Sequence, residues 1–191
     1  MKNKLAVIDT ILSGVKLIES NSIADNRGSF SRWFCLSELQ EIIAGQEIRQ
    51  INHSVNLSVG TVRGMHYRLT TAGQQSGEYK LVRCIRGRVH DVILDLRAGS
   101  ATFGESFAVE LSEDNQTMLL IPPGCAHGFQ VLADNSQLLY LHTQDYEPEL
   151  DAGVSVEDPQ FAIQWPLPII NLSARDQSFP LYSVSAYEAN L

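Results

Sequence analysis

Two histidines in this sequence stand in segments that could deliver an acid–base group to a cavity. His66 lies in TVRGMHYR (residues 61–68), beside an arginine, a glycine and a tyrosine. His127 follows a turn-forming run in IPPGCAHGF (residues 121–129). A neutral imidazole can remove a proton near neutral pH, so either histidine is a candidate base, with a structural histidine as the alternative.

The segment around His66 predicts a strand whose side chains alternate between two faces. A strict pleat puts His66 and Arg68 on one face with Gly64, and puts Arg63 on the other. A bulge or bend at Gly64 would bring Arg63 and His66 into one cavity. An irregular strand is therefore expected if both side chains act on one ligand.

The Pro-x-Gly-x-x-His pattern that ends at His127 resembles the second motif of the cupin superfamily. A metal-binding cupin also has a His-x-His pair and a glutamate in its first motif, where this chain has His66 and Arg68. Since arginine cannot ligate a metal ion, the sequence predicts a metal-free site. The remaining histidines lack supporting spacing and are expected to be exposed or structural: His53, His90 and His142.

Four basic residues spread along the chain could bind a phosphorylated ligand. Each of Arg27, Arg63, Lys80 and Arg175 is by default a solvated surface charge. Converging on one cavity, they would bind a diphosphate, because the guanidinium fork matches phosphate oxygens. Only the fold decides whether they converge.

Short strands are the elements that must position these residues. The sequence predicts strands over residues 81–85, 89–96, 106–111, 117–121, 128–132 and 137–142, separated by turn-forming residues. Such spacing is typical of a sandwich or closed barrel. The apolar outer face of 89–96 is expected to meet another sheet or subunit.

Helix is expected to be scarce. The best candidate covers residues 36–43, with Ser37 near its start and Gly45 as a stop. The last forty or so residues contain several prolines, Pro159 and Pro180 among them, and are expected to form loops and short turns.

Composition narrows the class of protein. The 191 residues suit one domain over 1–191, and the formal net charge of −8 argues against a nucleic-acid-binding protein. No run of about 18 apolar residues predicts a membrane span. Three cysteines without CxxC spacing (Cys35, Cys84 and Cys125) and no secretory signal at the N-terminus indicate reduced thiols in a cytoplasmic protein.

Nine segments taken together, over about residues 25–181, resemble the dTDP-4-dehydrorhamnose 3,5-epimerase family in order and spacing. In chain order they are DNRGSF (25–30), QINHS (50–54), VRGMHY (62–67), YKLVR (79–83), GRVHDV (87–92), DLR (95–97), SATFG (100–104), IPPGCAHGF (121–129) and LSARD (172–176). Any one of these segments is a weak match, whereas nine in the same order are a strong one.

This resemblance implies a fold, an assembly and a reaction. The fold would be an all-β, cupin-type jelly-roll β-barrel with short peripheral helices, in a homodimer that exchanges strands near the N-terminus. The substrate would be a nucleotide-linked 4-keto-6-deoxyhexose, epimerised at C3 and/or C5 through an enolate, with no metal or other cofactor. Such an enzyme serves carbohydrate biosynthesis.

The resemblance also implies roles for individual residues. His66 matches the catalytic base, Asp176 the carboxylate bound to it, Tyr140 the acid on the opposite face of the sugar and Lys80 the cation beside the enolate. Contacts to the substrate or its nucleotide diphosphate are implied for Arg27, Phe30, Gln50, Asn52, Arg63, His127, Tyr146, Asp151 and Arg175.

Three positions depart from the family pattern. Arg32 replaces a glutamate that contributes to nucleotide contacts, Arg68 replaces a glutamine, and Asp145 replaces the first of two adjacent tyrosines. Arg32 leaves the nucleotide open, and the number of epimerised carbons is open as well. The alternatives are a C3-only epimerase or ketoisomerase on the same scaffold, or a non-catalytic cupin that binds a sugar nucleotide.

Overall fold

The computed structural model describes residues 5–69 and 77–183, which are almost entirely strands, turns and loops. In chain order the regular elements of these residues are β1 (Leu5–Asp9), β2 (Lys16–Ser20), β3 (Ile23–Asp25), β4 (Gly28–Phe30), α1 (Leu36–Leu39), β5 (Gln50–Asn56), β6 (Val62–Arg68), β7 (Lys80–Arg86), β8 (Arg88–Asp95), β9 (Ser106–Ser112), β10 (Met118–Ile121), β11 (Cys125–Val131), β12 (Ser136–His142), a 3₁₀ turn (Pro148–Leu150), β13 (Asp151–Gly153) and α2 (Ala174–Gln177).

Two antiparallel sheets make up the body of the fold. One has the strand order β1-β2-β10-β7-β12-β5, and the other β13-β6-β11-β8-β9. Strands β3 and β4 form a separate hairpin. The order within each sheet is not sequential, as in a jelly roll, and the all-β fold expected from the sequence is confirmed.

The space between the sheets is filled by apolar side chains from both of them. Val82 of β7 and Leu138 of β12 meet Ile93 of β8 and Phe129 of β11 in one buried cluster. Alternate residues of each strand point inward, so this cluster takes every second residue. It forms the main core between the layers.

Irregular chain covers part of the outer face of each sheet. Val92 and Leu94 of β8 pack against Val154 and Phe161 from the C-terminal region. On the other sheet, Leu81 packs with Leu39 and other side chains around α1. The expectation that another sheet or subunit meets the outer face of β8 is therefore wrong, because loops of the same chain bury it.

The predicted strands are all present, with shifted ends. The largest shift is in β11, which begins at Cys125 rather than 128 because its pairing with β8 extends to Asp95. Sequence reasoning missed the N-terminal strands β1 to β4 and the edge strand β5. β1 has apolar residues on both faces, and β5 has its polar residues on the face that lines the cavity, so neither shows the usual pattern of an apolar buried face and a polar exposed one.

The predicted helix over residues 36–43 is shorter than expected. α1 ends at Leu39, and single hydrogen-bonded turns carry the chain to Gly45. Ala44 and Gly45 have positive φ values, so helical geometry cannot continue through them.

In the C-terminal region β13 and α2 add short regular pieces to the expected loops, and residues 184–191 lie outside the described part. No helix among the described residues has the length and apolar character needed to cross a membrane.

Candidate active site

A cavity of about 290 Å³ opens between the two sheets, at the end of the barrel where the inward-facing residues become polar. Both sheets contribute to its wall. Its lining residues are Gln50, Asn52, His53, Ser54, Arg63, His66, Tyr67, Arg68, Glu78, Lys80, His127, Phe129, Tyr140, His142, Tyr146, Glu147 and Asp151. The cavity therefore brings together most of the site residues expected from the sequence.

His66 and Asp176 form a hydrogen-bonded pair in this cavity. His66 Nε2 is 2.9 Å from Asp176 Oδ1, and the Gly64 amide donates to Asp176 Oδ2 at 3.2 Å. Asp176 lies in α2, where its own amide donates to the side chain of the N-cap residue Ser173. The carboxylate is 5% exposed, so a flanking helix cap and a strand amide together hold it against the imidazole.

The environment of Asp176 keeps it ionised. Burial alone would raise the pKa of this carboxyl, but the hydrogen bond and charge of His66, with the Gly64 amide and Ser173, outweigh burial and hold the pKa below its ordinary value. An ionised Asp176 accepts from Nε2–H and leaves the lone pair on Nδ1 of a neutral His66. This is the tautomer that can act as a base.

A bend in β6 places Arg63 and His66 on the same cavity, as the sequence led us to expect. Gly64 has φ +136°, and the register of β6 against β11 shifts between His127 and Phe129. A Cβ at Gly64 would lie 2.6 Å from Gly128 Cα, so the two strands approach too closely there for any other residue.

His127 is the second cavity histidine and also pairs with a carboxylate. Its Nε2 lies 2.9 Å and 3.0 Å from the two Asp91 oxygens, and both side chains are almost completely buried. Asp91 was missed, although a carboxylate inside an aliphatic strand is a signal that a partner must be close. Across residues 5–69 and 77–183 no group of three or more His, Cys, Asp and Glu side chains could hold a metal ion.

Tyr140 faces His66 from the opposite sheet, on β12. Its hydroxyl is 3.0 Å from Ser54 Oγ. Burial raises the pKa of Tyr140 to about 12, against smaller opposing effects of the Ser54 hydrogen bond and the Arg63 charge. The phenol therefore stays protonated near neutral pH and is available as a proton donor. Ser54 is a further residue that sequence reasoning missed.

Lys80 belongs to a charged group at the end of β7 and β12. Its Nζ is 3.7 Å from Glu78 Oε2, while Glu78 Oε1 is 2.9 Å from His142 Nδ1. Burial alone would raise the pKa of Glu78, but His142, Lys80 and Arg68 lower it below the ordinary value. Arg68 forms an ion pair with Glu147. His142 was expected to be exposed or structural, yet its side chain is 13% exposed and lines the cavity.

The cavity mouth holds most of the remaining predicted contact residues. Arg175 pairs with Asp151 at 2.8 Å, and Gln50 accepts a hydrogen bond from the Tyr146 amide. Arg63 donates to Asn56 at 2.7 Å. Arg63 thus lines the cavity itself, whereas Arg175 does not line it and is connected to it through the lining residue Asp151. Both guanidinium groups suit an anionic ligand.

Two predicted residues lie away from this cavity. Arg27 and Phe30 belong to the exposed β3–β4 hairpin, where Arg27 pairs with Asp25 and the Phe30 side chain is 70% exposed. Arg32, where the family has a glutamate, pairs with Glu38 of α1. The described chain thus assembles the reacting end of the site without these three side chains.

Known proteins of one family are similar to this chain over most of its length. The dTDP-4-dehydrorhamnose 3,5-epimerase family matches residues 9–183. A curated dTDP-4-dehydrorhamnose 3,5-epimerase of Escherichia coli (strain K12) is 41% identical over 165 residues, or 84% of each chain.

Two solved structures are similar over nearly the whole chain. One is a dTDP-6-deoxy-D-glucose-3,5-epimerase of Legionella pneumophila in complex with dTDP-4-keto-L-rhamnose (36% identity, TM-score 0.84, 93% of this chain and 92% of that one). The other is a 3′-monoepimerase of Streptomyces bikiniensis in complex with dTDP-quinovose (29%, TM-score 0.85, 96% and 91%). The fold is therefore the cupin-type jelly-roll, and the chain belongs to the dTDP-4-dehydrorhamnose 3,5-epimerase family.

Proposed function

We propose that this chain is an epimerase of a nucleotide-linked 4-keto-6-deoxyhexose and acts through an enolate. The observation that carries the proposal is the His66–Asp176 pair, 2.9 Å apart on one wall of the cavity, with Tyr140 on the opposite wall. Inversion of a carbon requires removal of a proton from one face and return of a proton to the other. A base and an acid on opposing sheets supply this arrangement.

The first step is removal of a proton next to the ketone. A 4-ketone acidifies the protons on C3 and C5, and Nδ1 of His66 accepts one of them. The imidazolium that forms is stabilised by Asp176, which stays ionised because its pKa is held low. The electrons of the broken C–H bond pass to the ketone oxygen and form the enolate.

Stabilisation of the enolate and reprotonation complete the reaction. Lys80 supplies positive charge at the cavity wall, and His127 contributes a second polar group held by Asp91. Tyr140, protonated near neutral pH, donates a proton to the opposite face of the carbon. The Tyr140 phenolate then takes up a proton from solvent, and the His66 imidazolium releases its proton to solvent, which restores both groups.

Binding of the nucleotide diphosphate falls to the residues at the mouth. In this proposal Arg63 and Arg175 contact the phosphates, while Gln50, Asn52, Tyr146 and Asp151 contact the rest of the substrate. The related proteins with solved complexes hold dTDP-linked sugars, which makes dTDP the first nucleotide to test. Arg32 is engaged by Glu38, so its reversed charge does not by itself exclude thymidine.

The assembly we propose is a homodimer in which the β3–β4 hairpin reaches the cavity of the partner subunit. The hairpin projects Ile23 and Phe30 into solvent, 60% and 70% exposed, and carries Arg27 at its tip. Apolar side chains exposed to this degree are covered when two subunits associate.

We further propose the cytoplasm as the compartment, supported by the free thiols of Cys35, Cys84 and Cys125.

Solvent exchange tests the reaction. The protein is incubated in deuterated water with a dTDP-linked 4-keto-6-deoxyhexose, and C3 and C5 are followed by NMR. Deuterium at both carbons with inversion is the expected result, and deuterium at C3 alone identifies a 3-epimerase like the Streptomyces bikiniensis relative. An absence of deuterium with every nucleotide tested, despite tight binding, would make the chain a binding protein and overturn the proposal.

Mixing of two inactive variants tests strand exchange. In a mixed dimer of Arg27→Ala and His66→Ala chains, one site has both wild-type residues if the hairpin crosses over. About a quarter of wild-type activity should return after dissociation and reassociation of a 1:1 mixture. If Arg27 acts within its own chain, mixing restores nothing.

A further inference from the structure

We propose that His142, held by Glu78, is a specificity-determining residue that accepts a hydrogen bond from a hydroxyl group of the hexose. The inference rests on the proposed function and deepens it. It assigns a role to a third histidine–carboxylate pair in the cavity, beside His66–Asp176 and His127–Asp91.

The first support is the position of His142 in the sheet. Its direct cross-strand neighbours are Lys80 on β7 and Gln50 on β5. Side chains opposite one another in neighbouring strands lie about 5 Å apart and point to the same face. Since Lys80 and Gln50 both line the cavity, His142 occupies the middle of a row of three cavity residues.

The adjacent row of the same strands contains the proposed acid. Tyr140 pairs with Asn52 on β5, and its ring lies 6.4 Å from that of His142 with an interplanar angle of 29°. A hexose that contacts both Tyr140 and Lys80 therefore lies over His142 as well. A ring nitrogen of His142 would then lie next to the sugar, where a hydroxyl group can form a hydrogen bond with it.

The second support is the way Glu78 orients the imidazole. Glu78 Oε1 is 2.9 Å from His142 Nδ1, and the carboxylate is 13% exposed with its pKa below the ordinary value. An ionised carboxylate accepts from Nδ1–H, so Nε2 of the neutral ring keeps its lone pair. His142 thus presents an acceptor and not a donor.

The third support is that Nε2 is weakly engaged within the described chain. Its contact with Asn52 Nδ2 is 3.4 Å, at the long end of the hydrogen-bond range. A sugar hydroxyl can bind Nε2 at a shorter distance. His142 lies on the sheet opposite His66, to which the proposed function already assigns proton removal. Its role is recognition of the sugar.

Calorimetry with two ligands tests the proposal. dTDP carries the nucleotide alone, whereas dTDP-quinovose adds a 6-deoxyhexose that has no ketone and cannot react. His142→Phe keeps a ring beside Tyr140 and removes both nitrogens. We expect it to bind dTDP within about twofold of wild type and dTDP-quinovose about tenfold more weakly, the loss typical of one hydrogen bond with its unpaired partner.

Two further variants separate recognition from folding. His142→Gln returns a side-chain oxygen near the Nε2 position and should recover most of the lost affinity for the sugar nucleotide. His90→Phe is the matched control, a histidine of β8 that packs against Trp165 outside the cavity, and should bind both ligands normally. Equal weakening of both ligands by His142→Phe, or of neither, would overturn the assignment.

Glu78 is a positioning residue in this scheme, since it acts through His142. Glu78→Gln should reduce affinity for dTDP-quinovose in the wild-type background and have less than about a twofold effect in the His142→Phe background. An equal effect in both backgrounds would show that Glu78 acts through Lys80 instead. Wild-type protein that fails to bind dTDP-quinovose and shows no deuterium exchange would overturn the proposed function itself, whereas normal exchange with an unselective His142→Phe would overturn only the role of His142.

Discussion

The two ends of the barrel are built from the same strands and differ in the type of side chain that faces inward. Along the inside of β12, Leu138 is followed by Tyr140 and then His142, and along β7 the core residue Cys84 is at the end opposite Lys80. At the closed end the inward side chains are aliphatic and fully buried. At the open end they are polar and surround the cavity.

The difference lies in how each end satisfies its side chains. Aliphatic residues need only close packing, and the free energy gained scales with the apolar area removed from water. Buried polar residues need specific partners, and here three of the cavity histidines, His66, His127 and His142, each have a carboxylate oxygen 2.9 Å away. Stability is thus concentrated at the closed end and chemistry at the open end. Substitution of residues at one end and then at the other tests this separation.

The largest expected effect is at His66, on the open end. His66→Ala and His66→Asn remove the proposed base and should lower deuterium exchange by about 10²–10⁴-fold. Because the buried Asp176 loses a hydrogen-bond partner, the melting temperature should fall modestly while the protein stays folded. NMR exchange and thermal unfolding are measured on both variants, with His90→Asn as the control. Exchange at the wild-type rate in either His66 variant would refute the assignment of the base.

Tyr140→Phe affects the opposite wall of the same end. The variant keeps the ring and removes the donor, so inversion should slow by on the order of 10²-fold while the initial exchange slows less. The comparison of deuterium uptake with the appearance of inverted product gives the two rates. Equal losses in both would argue against a role limited to reprotonation.

Leu138→Ala tests the closed end, two residues before Tyr140 on the same strand. Leu138 is completely buried in the central cluster, so its truncation should cost about 2–5 kcal/mol in the free energy of unfolding. Urea unfolding measures the loss, and exchange below the transition should stay near the wild-type rate. A variant that is fully folded but inactive would show that the two ends are not separable.

The smallest expected effect is the dependence of stability on pH at Asp176. The folded pKa lies below the ordinary value of 3.8, so the ionised carboxylate stabilises the fold above that pH and loses this contribution as the pH falls through the folded value. In Asp176→Asn the contribution is absent. The urea midpoint should therefore fall less between pH 6 and pH 3 in the variant than in wild type. Parallel curves would mean that His66 does not stabilise the ionised form.

The sequence predicted the strand-rich core well and the edges of the fold poorly. Residues 81–142 hold apolar runs bounded by turn residues, and all six strands predicted there are present. Strand β5 was missed although it carries Gln50, Asn52 and Ser54 of the cavity. Its residues alternate in the reverse of the usual sense, because Gln50, Asn52 and Ser54 face the cavity while Ile51 and Val55 are exposed on the other face. A polar inward face gives no apolar stripe that would identify a half-buried strand.

Residue types and their order along the chain determined the family, the candidate base and the candidate acid. Tertiary structure alone decided which carboxylate each histidine meets, because Asp176 is 110 residues from His66 and Glu78 is 64 residues from His142. It also decided that Arg63 and His66 share a cavity, since a strict pleat separates them and the close approach of Gly64 to Gly128 joins them. Spacing along a chain specifies local geometry, whereas pairing across sheets depends on register, which only the assembled fold defines.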